Sequence, residues 1–211
     1  MAGDLKRVYK FYGWEDAGKV SPEAEGYERI QDLLGMYDLM TEIWSKETCA
    51  PRMRDEWTPE NRTLGQCSIT AFLIQDIFGG GVYGTELEDG NYHCYNVIDG
   101  MTFDLTSEQF GDEVLNYENN PMQLREVHFE KEEKHERYLY IKAELDRKLK
   151  KLSMLDLIDK AAKGSIDAAA ELAEAYLTGK YGDKNPAKAK KWASYATKRG
   201  SKLAEEVLAK L

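Results

Sequence analysis

The chain has little sulfur, little imidazole and no long apolar run. Its 211 residues include three cysteines and three histidines. No stretch approaches the roughly 18 uninterrupted apolar residues of a membrane-spanning helix, so no span is predicted. Cys49, Cys67 and Cys94 are odd in number and form no CxxC pair, which argues against a disulfide framework and against a structural zinc site. The first residues lack the apolar core of a secretory signal, and the predicted location is the cytoplasm.

The charged residues are biased towards acid. There are 38 Asp and Glu residues against 29 Lys and Arg, which gives a formal net charge of −9 at pH 7. This excess argues against nucleic acid or an anionic membrane surface as a main partner, because both carry negative charge. Hydrophobic residues, at 42%, are frequent enough to build a folded core, so wholesale disorder is excluded.

The end of the chain repeats itself. From about Ala161 onward the sequence is rich in alanine, and residues recur at a constant offset of 36 positions. Self-similarity at this period, with helical spacing of apolar residues, predicts paired helices stacked as a short solenoid. Gly164 and Gly200 are predicted to end helices, since glycine readily adopts the left-handed conformation found there. The matching pairs are Gly164 with Gly200, Ala168 with Ala204, Leu172 with Leu208 and Ala173 with Ala209.

This segment resembles the Sel-one-like repeat, a short relative of the tetratricopeptide repeat. The resemblance predicts an all-α domain over residues 151–211. Repeats of this kind commonly bind proteins, so it implies a concave surface for a protein partner. The alternative is that these helices only stabilise the rest of the chain. The residues that carry the resemblance are Ala162, Lys163, Gly164, Ala168, Leu172, Ala173, Tyr176, Gly179, Asp183, Lys188, Ala189, Trp192 and Ala196.

The most informative stretch begins at a cysteine. After Gly65, the apolar residues Ile69, Phe72 and Ile77 fall on one helical face, and two glycines follow Phe78. Cys67 is therefore predicted at the start of a helix. There the unpaired backbone N–H groups and the helix dipole favour a thiolate over a thiol, as a nucleophilic cysteine requires.

A predicted β-hairpin follows this helix. Strands at 91–98 and 101–105 flank Asp99-Gly100, a favoured two-residue turn. With that turn His93 lies diagonal to Asp104 on one face, within reach for a hydrogen bond. A thiol, an imidazole and a carboxylate make the nucleophile, base and orienting group of a catalytic triad. Each residue alone also has a structural interpretation: a buried cysteine, a core histidine, and an aspartate that caps the segment at Thr106.

The order of these residues matches the papain-like and transglutaminase-like arrangement of a helix-borne cysteine against a sheet. The chain also resembles the YunG-like family, a bacterial group, from about Leu39 to Leu145. This resemblance implies a papain-like α+β fold, with helices packed on a small antiparallel sheet over residues 1–150, and a Cys67–His93–Asp104 centre. Cys94 stands where an aromatic residue is expected. The motifs are Trp44–Thr48, Trp57–Asn61, Leu64–Thr70, His93–Asn96, Ile98–Gly100, Asp104–Thr106 and Gln109–Phe110.

Three further expectations concern the surroundings of this centre. Gln66 is predicted either to donate its amide to an oxyanion, beside the backbone N–H of Cys67, or to anchor the loop. A helix is predicted over Tyr27–Trp44 from its apolar spacing. The segment Glu130–Leu152 is dense in charge and predicts a solvated helix with a narrow apolar stripe made of Leu139, Ile141, Leu145 and Leu149.

These observations predict a thiol-dependent hydrolase or acyltransferase that acts on an amide, an ester or an isopeptide and requires no cofactor. The residues do not separate hydrolysis, deamidation and transfer to an amine, because all three share the acyl-enzyme step. The alternative is a non-catalytic interaction module whose repeat domain binds a partner protein. A metal-dependent hydrolase is disfavoured by the small number of candidate ligands.

Overall fold

A computed structural model describes residues 8–211 and divides the chain into two compact units. The first unit is Met1–Leu145 and the second is Asp146–Leu211. The domains predicted from the sequence, 1–150 and 151–211, stay a prediction. The division between the two units falls inside one long helix, Glu132–Ala162.

The first unit combines short helices with one small sheet. A buried helix and a three-stranded sheet follow each other directly in the chain, and the site lies where they meet. In chain order the elements are α1 Trp14–Ala17, α2 Leu33–Thr41, a 3-10 turn at Pro51–Met53, α3 Cys67–Phe78, β1 Gly81–Glu86, β2 Tyr92–Ile98, β3 Met101–Phe103, a 3-10 turn at Ser107–Phe110, α4 Arg125–His128 and the start of α5 Glu132–Ala162.

The helix predicted over Tyr27–Trp44 is shorter than its apolar pattern suggested. It begins at Leu33, because the Asp32 side chain accepts a hydrogen bond from the backbone N–H of Gly35 and caps the first turn. The apolar residues before Asp32 lie outside the helix. Ile30 is buried although it is not part of a helix, so its apolar spacing wrongly predicted an earlier helix start.

The sheet is antiparallel, with strand order β1-β2-β3. The predicted hairpin is confirmed: Ile98 pairs with Met101, and both turn residues, Asp99 and Gly100, have positive φ angles of 52° and 75°. Such angles are typical of the tight turn that Asp-Gly favours. Strand β1 was not predicted, since glycines at its first and fourth positions interrupt the alternation expected of a strand.

Helix α3 packs its apolar residues against this sheet. All but a few of its side chains are buried, and Asn96 of β2 donates a hydrogen bond to the carbonyl of Ala71 within it. The first unit therefore mixes helices with a small antiparallel sheet, and the predicted α+β class is confirmed.

The long helix α5 begins in the first unit, and its charged sequence is only partly solvated. Tyr138, Ile141 and Leu145 are buried, whereas Leu139 is about half exposed and was wrongly placed in the apolar stripe. Arg137 is also buried. This part of α5 supplies residues to the site described below.

The second unit is helical. After the end of α5 come α6 Ile166–Thr178, α7 Pro186–Thr197 and α8 Lys202–Ala209. Two of these helices start in the same way at an offset of 36 residues, because Ser165 accepts from Ala168 N–H and Ser201 accepts from Ala204 N–H. The core of this unit is built mainly from alanines, which allow close approach of the helices: Ala161, Ala168, Ala169, Ala170, Ala173, Ala189, Ala193, Ala196 and Ala204.

Among the described residues, no helix combines the length and the apolar character that crossing a membrane requires.

Candidate active site

A cavity of about 540 Å³ lies in the first unit, at the N-terminus of α3. This volume falls in the range of small-molecule sites. Two of the predicted site residues, Cys67 and His93, line it, whereas Asp104 and Gln66 do not. Its polar lining also includes Cys94, His128, Lys134 and Arg137.

Cys67 is the first residue of α3, as its position after Gly65 predicted. Gly65 has a φ of 67°, and a Cβ atom there would lie 2.8 Å from Cys49 Sγ, so the tight loop before the helix requires glycine. Cys67 is partly exposed, whereas Cys49 and Cys94 are buried. The accessible cysteine is thus the one at the helix start.

His93 and Asp104 form a buried pair. His93 Nε2 lies 2.6 Å from Asp104 Oδ2. The carboxylate is also held from other sides: Oδ2 accepts from the Tyr117 hydroxyl at 2.9 Å, and Oδ1 accepts from the backbone N–H and the hydroxyl of Thr106, both at 3.0 Å. Asp104 therefore holds the imidazole with one oxygen and caps the turn at Thr106 with the other. The catalytic and the structural interpretations of this residue are thus compatible.

Cys67 is in hydrogen-bond contact with two residues of β2. The Cys94 thiol donates to its sulfur, and the His93 ring contacts it as well. These hydrogen bonds and the charge of His93 outweigh burial and hold the pKa of Cys67 well below its usual range. Since Nε2 of His93 faces Asp104, Nδ1 is the ring nitrogen left for the sulfur.

The charge state of His93 follows from the same contacts. Burial alone would lower the pKa of His93, but the charges of Asp104 and of the Cys67 thiolate outweigh it and raise the pKa to about 10. The same hydrogen bond to Cys67 has the opposite effect on its donor, because the Cys94 thiol must keep its proton to donate it. This hydrogen bond and burial hold the pKa of Cys94 well above its usual range. The directions of these pKa shifts favour a Cys67 thiolate beside a His93 imidazolium.

Gln66 occupies the loop-anchoring arrangement. Its side-chain amide donates to the carbonyl of Ser45 at 3.0 Å, and the residue is fully buried. Because Gln66 does not line the cavity, this geometry does not favour its predicted role as an oxyanion donor.

Arg137 is a site residue that the sequence did not reveal. Its guanidinium donates to the carbonyl of Thr48 from Nε at 2.9 Å and from a terminal nitrogen at 2.7 Å, and to the carbonyl of Gly65 at 2.7 Å. It thereby joins the segment at Thr48 to the loop at Gly65, which leads directly into the helix that begins at Cys67. Within a run of charged residues, nothing in the sequence distinguished this arginine from solvated neighbours.

His128 and Lys134 complete the polar wall. Lys134 Nζ lies 3.4 Å from His128 Nδ1. Burial, with the charge of Lys134 second, lowers the pKa of His128 to about 4, so this imidazole is neutral at pH 7. Among residues 8–211, no group of three or more His, Cys, Asp or Glu side chains is arranged to hold a metal ion.

Comparison with known proteins identifies the family. The family model described as YunG protein matches residues 32–150. The chain belongs to the YunG family. Uncharacterized protein YunG from Bacillus subtilis (strain 168) is 31% identical over 115 residues, which is 54% of this chain and 92% of that protein. No solved structure matches the chain.

The YunG region contains every residue of the site. It begins at Asp32, the cap of α2, and ends within α5, so it includes the Cys67 helix, the hairpin and the residues Lys134 and Arg137. Helices α6, α7 and α8 lie outside it.

Proposed function

We propose that this YunG-family chain performs thiol-dependent acyl chemistry on an amide, an ester or an isopeptide. The observation that carries the proposal is the contact chain from Cys67 through His93 to Asp104, with a sulfur whose pKa is lowered and an imidazole whose pKa is raised. Nucleophile, general base and orienting group in this order are the elements of covalent acyl transfer.

In the first step the Cys67 thiolate attacks the carbonyl carbon, and the π electrons of the carbonyl move onto its oxygen. Backbone N–H groups in the first turn of α3 have no partner within the helix and are suited to stabilise this oxyanion. As the oxyanion collapses, the bond to the leaving amine or alcohol breaks. The leaving group takes the proton of His93, and an acyl-cysteine remains.

In the second step neutral His93 accepts a proton from the incoming nucleophile, which attacks the acyl carbon and releases Cys67 as a thiolate. Water as the nucleophile gives hydrolysis, and an amine gives transfer. Asp104 keeps Nε2 of His93 bonded throughout, so Nδ1 stays directed at the reacting atoms.

Two finer structural assignments belong to the same proposal. A papain-like arrangement is supported by a cysteine at the start of a buried helix that packs on an antiparallel sheet carrying the histidine. A Sel-one-like repeat is supported by the serine caps and the positive φ angles of Gly164 and Gly200, 97° and 88°, at an offset of 36 residues.

Alkylation by iodoacetamide tests the nucleophile without a known substrate. The intact chain is treated with substoichiometric reagent at pH 6, and the modified cysteine is identified by peptide mass spectrometry. We expect Cys67 to react at least about tenfold faster than Cys49, because only the thiolate is nucleophilic and an ordinary cysteine is mostly protonated at this pH.

The matched control is Cys67→Ser. Fast labelling should be lost in this variant, whereas Cys49 and Cys94 should be labelled as in the unaltered chain. If Cys67 reacts no faster than Cys49, the catalytic proposal loses its support. The non-catalytic interaction module is then the better hypothesis for this chain.

A further inference from the structure

The cavity beside Cys67 is basic, although the chain as a whole carries a net charge of −9. Apart from Cys67 and His93, the charged side chains that line this cavity are four cations and one anion: Arg52, Lys131, Lys134, Arg137 and Glu133. A local excess of positive charge in an acidic protein raises the local concentration of anionic ligands.

Two of these cations have their charge balanced or their donors used. Arg52 pairs with Asp89 at 3.1 Å. The Arg137 guanidinium donates hydrogen bonds to two backbone carbonyls, and one of its terminal nitrogens lies 3.5 Å from a carboxylate oxygen of Glu133. Arg137 is therefore not free to bind a ligand without breaking contacts that hold the fold. Arg52 already has its charge balanced by Asp89 in an exposed ion pair.

Lys134 differs from both arginines. It is half-buried, and within residues 8–211 no carboxylate lies within ion-pair distance of its Nζ atom. Its hydrogen-bond partner, His128, is neutral at pH 7 and does not balance its charge. Burial, followed by the charge of Lys131, lowers the pKa of Lys134, while Cys94, Glu133 and Cys67 are close enough to act on it in the opposite direction. An ammonium without a direct ion-pair partner thus lines the same cavity as Cys67.

We propose that Lys134 binds a carboxylate of the substrate, next to the carbonyl that Cys67 attacks. The inference rests on the proposed acyl chemistry and names its substrate class. A single ammonium without a direct ion-pair partner matches a monoanion, and partial burial strengthens their attraction relative to water. A phosphate group carries more charge and favours several free donors, which the committed guanidinium of Arg137 does not offer.

The test compares two reagents of the same shape, neutral iodoacetamide and anionic iodoacetate, in their rates of alkylating Cys67. Their rate ratio cancels the thiolate fraction, so a change in the pKa of Cys67 does not affect it. In Lys134→Gln we expect the ratio of iodoacetate to iodoacetamide to fall by about tenfold. Lys134→Arg keeps the charge and is expected to retain most of the preference.

The matched control is Lys131→Gln, which makes the same change in net charge at an exposed residue of the same cavity. We expect its ratio to change by less than about twofold, because exposed charges are screened by water and salt. An equal fall in both variants, or no fall in Lys134→Gln, overturns the role of Lys134. Slow reaction of Cys67 with both reagents in the unaltered chain instead refutes the proposed acyl chemistry itself.

Discussion

The His93 imidazole and the Asp104 carboxylate meet 2.6 Å apart, with only 1% of either side chain exposed. The carboxylate is one cause of the raised pKa of His93, and the imidazolium in turn lowers the pKa of Cys67. Asp104, which accepts four hydrogen bonds, thus influences the pKa of Cys67 through His93. This dependence makes the charge of Asp104 the first quantity to test.

Asp104→Asn keeps the size of the side chain and removes its charge. We expect the pKa of His93 to fall and the pKa of Cys67 to rise by about one unit or more, since the imidazolium loses its counter-charge. The measurement is the pH dependence of Cys67 alkylation by iodoacetamide, and the midpoint of the profile should move to higher pH. An unchanged profile would mean that Asp104 serves only the turn at Thr106.

Cys94 provides a second test of the same sulfur. The hydrogen bond from its thiol is the largest cause of the lowered pKa of Cys67. Cys94→Ala removes the donor and is expected to raise that pKa, measured by the thiolate absorbance during a pH titration. Cys94→Ser retains a hydroxyl donor and should restore the low value. Equal curves for the alanine and serine variants would show that packing, not donation, matters here.

The sequence predicted the parts of this site whose signals are local. A glycine before an amphipathic run located Cys67 at the start of α3, and an Asp-Gly turn fixed the register that brings His93 to Asp104. In both cases the deciding residues lie within a few positions of each other. Turn geometry and helical periodicity act over that range.

The parts that were missed depend on contacts between distant residues. Arg137 binds Thr48 across 89 positions, and in the sequence it is one charge within a charged helix. Lys134 and His128 are likewise distinguished only by what surrounds them in the fold. Gln66 illustrates the reverse case, because its position beside Cys67 suggested catalysis while the fold directs its amide to Ser45.

His128 gives a prediction for the pH dependence of stability. Its pKa of about 4 in the folded chain lies below the value near 6.5 of an exposed histidine. The unfolded chain therefore binds the proton first as the pH falls, and stability is lost progressively between about pH 6.5 and pH 4. Allowing for partial exposure, His128 is expected to account for about 1 kcal/mol of the loss between pH 7 and pH 5.

His128→Gln removes this titration and keeps a polar side chain. Urea unfolding of both proteins at pH 7 and pH 5, followed by tryptophan fluorescence, gives the difference in pH dependence. The variant should lose less stability than the unaltered chain over this interval. The same loss in both would show that His128 is not held neutral by its surroundings.

Arg137 offers a prediction about how the loop before Cys67 is held. Arg137→Met removes the buried guanidinium, which takes both side-chain donors from the carbonyl of Thr48. The carbonyl of Gly65 also loses a donor but still accepts from the backbone N–H of Ala50 at 3.0 Å. We expect a loss of about 3 kcal/mol in the free energy of unfolding, because hydrogen bonds to a charged group are strong and the acceptors stay buried. Urea unfolding at pH 7 measures it.

Arg54→Met is the matched control, since Arg54 also donates to backbone carbonyls, those of Cys49 at 3.2 Å and Glu47 at 3.1 Å, but on a more exposed part of the loop. Its carbonyls can bind water after the substitution, so we expect a loss below about 1 kcal/mol. Similar losses in the two variants would contradict the view that Arg137 is a buried clamp. If Arg137→Met folds, its Cys67 should also react more slowly with iodoacetamide, because the helix start that stabilises the thiolate is no longer fixed in place.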